Sequence, residues 1–269
     1  MGNRGFFIDG RLCCLAVLCA VFCNAAQAQE LACRFNVVGT GKVARILDGR
    51  SFALDDGREV RLAGIEVPPP ALDAADSARN ALESMLSERA VALRNERAAQ
   101  DRYGRLLAYV DIVTEGPSVA VAHAMIGSGH ARVTADVGNT ACAAELLSRE
   151  RVARAAKLGL WGDPGYVVRG AERYQDLLAE RGHFTVVEGK VLSVRESGGT
   201  IYMNFGRRWS QALTVTISKR HERMFAGAGV QPKRLANRLV RVRGWIDERN
   251  GPRIEATRPE QIEIAELDR

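Results

Sequence analysis

Histidine is scarce in this chain: His123, His130, His183 and His221 are the only four among 269 residues. The first two fall in or just after an apolar helical stretch, where a part-buried structural role suits them. The other two lie beside charged loops, with no Ser, Cys or Asp arranged as a triad, so the sequence offers no pairing for nucleophilic catalysis. Long apolar runs are lacking as well. The run from Leu12 to Cys23 falls short of the about 20 residues that a membrane-spanning helix needs. Preceded by Arg4 and Arg11 and followed by Ala26-Gln27-Ala28, it reads as a secretory leader cleaved after Ala28, with no stable membrane anchor. Bulky Leu18 and Phe22 before Cys19 and Cys23 disfavour a lipid-attachment site. The expected location is secreted, in a bacterial periplasm.

Cysteine becomes equally sparse once that leader is set aside. Four of the six cysteines lie within it, leaving Cys33 and Cys142. Two cysteines in an oxidising compartment are expected to pair, and a bond across so long a loop contributes about 4 to 5 kcal/mol in chain-entropy models. Two separately buried thiols is the other reading. No His or Cys stands beside either at metal-ligand spacing, so zinc has little support.

What is present is charge, unevenly divided. Residues 29–170 hold 18 Lys/Arg against 18 Asp/Glu, whereas residues 171–269 hold 18 against 13. A basic segment beside a neutral one suggests that the former holds a polyanion, although solubility alone is a sufficient use for five excess charges.

The pattern predicts an α+β, mainly β protein of two domains at 29–165 and 184–269, joined by a linker with a short helix at 166–183. Strands are expected at Val37–Leu47, Ser51–Leu54, Glu59–Ile65, Val91–Glu96 and Leu106–Ile112, with a hairpin turn at Asp55-Asp56-Gly57. A helix at Ala74–Glu88 places Ala78, Leu82, Met85 and Leu86 on one face. Further helices are expected at Val119–Ser128, capped by Ser118, and at Ala141–Leu158, capped by Thr140 and ended by Gly159. The connecting helix is placed at Glu172–Arg181. Beyond it, Thr185–Val194, Thr200–Phe205, Leu213–Ile217, Leu239–Ile246 and Arg253–Ala256 read as five strands of a second OB-type barrel.

Three segments carry a resemblance: Ile46-Leu47-Asp48-Gly49-Arg50-Ser51, then Val60-Arg61-Leu62-Ala63-Gly64-Ile65-Glu66-Val67-Pro68-Pro69, then Asp101-Arg102-Tyr103-Gly104-Arg105-Leu106-Leu107-Ala108-Tyr109. From about Lys42 to Trp161 the chain resembles the thermonuclease (staphylococcal nuclease) family, whose usual patterns are I-D-G-D-T, R-L-x-G-I/V-D-T/A-P-E and D-x-Y-G-R-x-L-A-Y. The resemblance implies a five-stranded OB barrel with three helices. It also implies calcium-assisted attack of water on a phosphodiester, with two arginines stabilising the phosphoryl oxygens.

Arg61 and Arg105 match those two arginines. The ordinary alternative for each is a salt bridge to a nearby acid. The acidic half departs from the pattern. Arg50 stands where a calcium-binding aspartate is expected, and Glu66 matches the second carboxylate one methylene longer. Asp48 matches a flanking aspartate behind the ligands, and Val67 retains the ligating backbone carbonyl. Pro69 replaces the glutamate that would activate water, and proline can neither accept a proton nor bind metal. No cofactor is therefore expected, and calcium binding is weak or lost. Arg50, Arg61 and Arg105 would form a cradle for phosphate.

In the second domain, Tyr202 alternates with Ile201 and Met203, and Arg241 and Arg243 alternate with Val240 and Val242. Together with the Arg207-Arg208-Trp209 loop, they compose a face suited to single-stranded nucleic acid, with charge for phosphate and rings for stacking. Alternatively, Trp209 and Trp245 belong to the core and the arginines are merely solvated. Three functions remain open. The first is binding of single-stranded DNA, RNA or another polyanion without efficient hydrolysis. The second is a working nuclease that uses Glu66, and the third is a protein-binding or cell-envelope module. Oligomeric state leaves no trace in the sequence.

Overall fold

Strands rich in Val, Ile and Leu build a closed barrel in the N-terminal lobe. The computed structural model describes residue 33, residues 35–69 and residues 73–265. The expected leader at 1–28 lies outside the described residues. Strands β1 (Val37–Asp48), β2 (Ser51–Leu54) and β3 (Glu59–Leu62) form an antiparallel meander, with Gly57 at φ +86° in the turn between β2 and β3. The short β4 (Ile65–Glu66) follows, then helix α1 (Asp73–Leu86) and strands β5 (Ala90–Gln100) and β6 (Leu106–Ile112). The order β3-β2-β1-β5-β6 closes because β6 also pairs with β3 in parallel. Val43, Phe52, Leu54, Val60, Leu62, Leu93 and Val110 fill the interior. Each such side chain contributes about 1.5 to 3 kcal/mol on burial.

α1 covers the barrel through Ala78, Leu82 and Leu86, four residues apart and all buried, with Met85 half-buried at the edge of that face. It can approach because Gly49 has no side chain: a Cβ there would meet the Ala78 Cβ at 2.9 Å. The expected strand Glu59–Ile65 breaks at Gly64 (φ +78°), where a Cβ would lie 2.7 Å from the Tyr109 ring. That break turns Glu66 out of the barrel ladder and into a pairing with β8 (Arg132–Val133).

Two cap expectations are corrected. Val119–Ala120 forms a short strand, β7, paired with Asp111 and Ile112 of β6, so helix α2 starts at Val121, runs to Gly127 and receives no cap from Ser118. Helix α3 (Thr140–Ala155) is capped by Asn139, whose Oδ1 accepts from the Cys142 N–H at 3.0 Å, and not by Thr140. Cys33 and Cys142 are both disulfide-bonded, as expected.

The C-terminal lobe contains β9 (Arg169–Gly170), α4 (Tyr174–Ala179), β10 (Phe184–Lys190), β11 (Ser193–Ser197), β12 (Thr200–Asn204), β13 (Thr214–Ser218), α5 (Glu222–Gly227), β14 (Leu239–Trp245), β15 (Asp247–Glu248), β16 (Pro252–Glu255) and β17 (Ile262–Ile264). Its strands form two sheets, ordered β17-β14-β10-β9 and β11-β12-β13-β16-β15. The expected single strand Thr185–Val194 is therefore two strands, one in each sheet. Val187, Ile201, Met203, Val215, Val240, Val242 and Ile254 form the core beneath them. No ladder among the described residues joins these sheets into a ring as β3 and β6 join the first.

The lobes meet across the other face of β10 and β14. Register places Phe184 opposite Trp245, Val186 opposite Arg243 and Glu188 opposite Arg241. Successive side chains alternate, so all six share the face turned away from the Val240 and Val242 core. Val186 packs there with Ala153 and Trp161 of the first lobe.

Candidate functional site

Barrel closure creates the arginine cluster. Arg105 precedes Leu106, which pairs with Val60, so the start of β6 lies beside Arg61 on β3. Ser51 faces Arg61 in the β2–β3 ladder. Arg50 occupies the turn just before Ser51, where Asp48 Oδ1 accepts its backbone N–H at 2.8 Å. Asp48 is thus committed to shaping the turn that presents Arg50.

The three arginines have different partners. Arg50 forms an ion pair with Glu66, and both side chains are largely buried. Arg105 makes the ordinary salt bridge: its Nε donates to Asp101 Oδ2 at 2.8 Å, and its Nη1 lies 3.4 Å from Ser51 Oγ. Asp101 Oδ1 also accepts the backbone N–H groups of Tyr103 and Arg105, which fixes this loop. Arg61 is half-buried and has no carboxylate within 4.0 Å among the described residues. Burial and the neighbouring charges of Arg50 and Arg105 pull its pKa below the usual arginine value.

Glu66 titrates in an unusual direction. Burial pushes its carboxyl above the ordinary glutamate value, against the opposing pull of Arg50 and Arg61. Beside it, Arg132 is buried under Tyr166 and Trp161, with its guanidinium 3.5 Å and 5.0 Å from the two ring centroids. Burial lowers the pKa of Arg132 and raises that of the Tyr166 hydroxyl to about 12. A cavity of about 450 Å³ opens over the Arg50–Glu66 pair, and Pro69, Arg79, Phe184 and Trp245 contribute to its walls. That volume lies within the range of small-ligand sites, about 300 to 1,000 Å³.

Residues 59–163 match the family model described as Staphylococcal nuclease homologue. The chain carries a staphylococcal nuclease-like domain. The match spans Arg61, Glu66, Pro69 and Arg105, while the β1–β2 turn with Asp48 and Arg50 lies just upstream, in the same closed barrel. A staphylococcal nuclease-like domain supports a nuclease-family role directed at nucleic acid. No curated protein gives a match.

The second set of expected residues is not brought together. Tyr202 on β12 is exposed, as alternation required, and Arg207, Arg208 and Trp209 lie on an exposed loop. Arg241 and Arg243 belong to the other sheet, on the face turned to the N-terminal lobe. Arg241 pairs with Glu188, and Arg243 is 1% exposed and held by Glu150 and Glu263. Arg243 is therefore an ion-pair anchor between lobes and not a surface cation for phosphate. Trp245 is not core, being 52% exposed at the cavity wall. Its parity with Arg241 and Arg243 was readable, but the surface that this face meets was not.

Proposed function

We propose that the protein binds single-stranded nucleic acid, or another phosphorylated polyanion, at the Arg61 cluster, and that calcium-dependent phosphodiester hydrolysis is impaired or lost. The observation that carries this reading is the Arg50–Glu66 ion pair beside an Arg61 that has no carboxylate of its own. A half-buried guanidinium crowded by like charges gains from an anion, and its planar fork suits phosphate oxygens. Arg105, pinned by Asp101, supplies a second donor from a fixed position.

The residues do not fit a calcium ion. That ion takes six to eight oxygens in a site of negative charge. Here Glu66 already faces a guanidinium, one Asp48 oxygen is occupied by a backbone N–H, and Pro69 offers no side-chain oxygen. The bound state of Cys33 and Cys142 supports an oxidising, secreted setting, with the periplasm as the proposed compartment. The C-terminal lobe, with its surplus of basic residues, is proposed as an OB-type accessory to the same polyanion.

Calorimetry with calcium and thymidine 3′,5′-bisphosphate tests this reading. Nucleotide heat that calcium leaves unchanged is the expected result, and tight calcium binding by the protein alone would return hydrolysis to first place. Arg50→Asp combined with Pro69→Glu adds two carboxylates to the wall that holds Glu66. This variant is expected to acquire calcium-dependent cleavage of single-stranded DNA. A folded but inert variant would show that these two positions do not account for the loss.

A further inference from the structure

The cavity over Arg50 and Glu66 has one wall from each lobe, and the two walls differ in chemistry. The N-terminal lobe contributes Arg50 and, from α1, the exposed Arg79, which has no carboxylate within 4.0 Å among the described residues. The C-terminal lobe contributes His183, Phe184 and Trp245. Its aromatic pair is set by register: Phe184 lies directly opposite Trp245, with ring centroids 6.2 Å apart and planes at 71°. Phe184 is buried, whereas Trp245 stays about half exposed. An exposed tryptophan braced by an edge-on ring, in one cavity with Arg50 and Arg79, is a stacking platform next to cations suited to phosphate.

Trp245 is also held firmly in place. Two residues earlier on the same strand and the same face, Arg243 donates to Glu150 at 2.9 Å through each of two nitrogens. That clamp ties β14 to α3 of the other lobe, so the indole does not depend on a loose loop for its position. The acids on the cavity wall do not oppose an anion equally. Glu66 is paired with Arg50 and Asp48 accepts the Arg50 N–H, leaving Asp76 as the exposed acid.

We infer that Trp245 stacks on a splayed base of single-stranded nucleic acid whose backbone phosphate lies on Arg50, the member of the arginine cluster that lines this cavity, and on Arg79. The C-terminal lobe thereby completes the binding cleft of the nuclease-like domain. This inference rests on the proposed phosphate site and assigns the base-binding half to a residue outside the family match, which ends at residue 163. Stacking accepts any base, so the cleft selects unpaired nucleotides without reading their sequence.

The test uses the full chain and three probes: a short oligodeoxythymidylate, an abasic oligomer of equal length and charge, and thymidine 3′,5′-bisphosphate. Trp245→Ala is expected to weaken the oligodeoxythymidylate on the order of tenfold, with the abasic oligomer unchanged. Trp245→Phe, which retains a ring, should recover most of the loss. A bisphosphate affinity equal to that of the oligomer would make a free nucleotide the ligand and overturn the assignment to a strand. Equal weakening of all probes by Trp245→Ala would assign the residue a structural role and overturn stacking. An unchanged oligodeoxythymidylate affinity would overturn stacking while leaving the phosphate site standing. Failure of all three probes to bind the unaltered protein would overturn both.

Discussion

Among the described residues, two buried arginine–glutamate centres differ in how completely their charges are satisfied. Between the lobes, Arg243 Nη1 donates to Glu150 Oε2 and the Val133 carbonyl, and Nη2 donates to Glu150 Oε1 and to Glu263. Glu150 further accepts the Val133 N–H at 2.6 Å and Arg154 Nη1 at 3.1 Å. In the cleft, Glu66 has Arg50 as its ion-pair partner, and Arg61 stands nearby without one among the described residues. The carboxyl groups record the difference. Burial acts to raise both, but Arg243 and Arg154 outweigh it at Glu263, which ends below the ordinary glutamate value, whereas Glu66 ends above. The same two residue types make a structural lock where both terminal nitrogens of the arginine are matched, and a looser centre where one neighbouring cation is left over among the described residues.

The largest effect should come from breaking the lock. Arg243→Ala leaves two buried carboxylates short of their central partner and is expected to cost about 3 to 5 kcal/mol in denaturant unfolding. Arg50→Ala, at the more open centre, should cost less, about 1 to 3 kcal/mol. Equal losses would erase the distinction. Next in size, Arg61→Ala should reduce affinity for single-stranded DNA by about 1.5 to 3 kcal/mol and lower the salt slope by about one unit. Its effect on stability should stay within about 0.5 kcal/mol, since no ion pair is lost.

The smallest effect concerns pH, with opposite signs at the two centres. Glu263 has a depressed folded-state pKa, so its contribution is present above the unfolded value near 4.5 and is lost as pH falls through the folded value. Glu66 has a raised one, so stability is greater below about 4.5 and declines as pH rises through its folded value. Unfolding free energies measured against pH for the unaltered protein, Glu263→Gln and Glu66→Gln should therefore give difference curves of opposite slope. Parallel curves would mean that the two carboxylates share one environment.

Much of the barrel was legible because its signals are local. Val, Ile and Leu content marked β1, β2 and β3, the Asp-Asp-Gly turn marked a hairpin, and the spacing of Ala78, Leu82 and Leu86 marked the covering helix. The errors arose where distant partners decided. Ser118 failed as a cap because Val119 and Ala120 pair with β6, and the long strand after Thr185 divides because its halves enter separate sheets. At the site, motif spacing located Arg50, Arg61, Glu66 and Arg105, but not which arginine would lack an acid. The alternation of Arg241 and Arg243 was correctly readable. That the face meets α3 instead of solvent depends on Glu150, more than ninety positions away in the chain.

The Arg243 clamp also bears on the gape of the cleft. With β14 bolted to α3 two residues from Trp245, any swing of the aromatic wall away from the N-terminal lobe has to break the Arg243–Glu150 pair first, so the opening of the cleft is tied to the integrity of the interlobe lock.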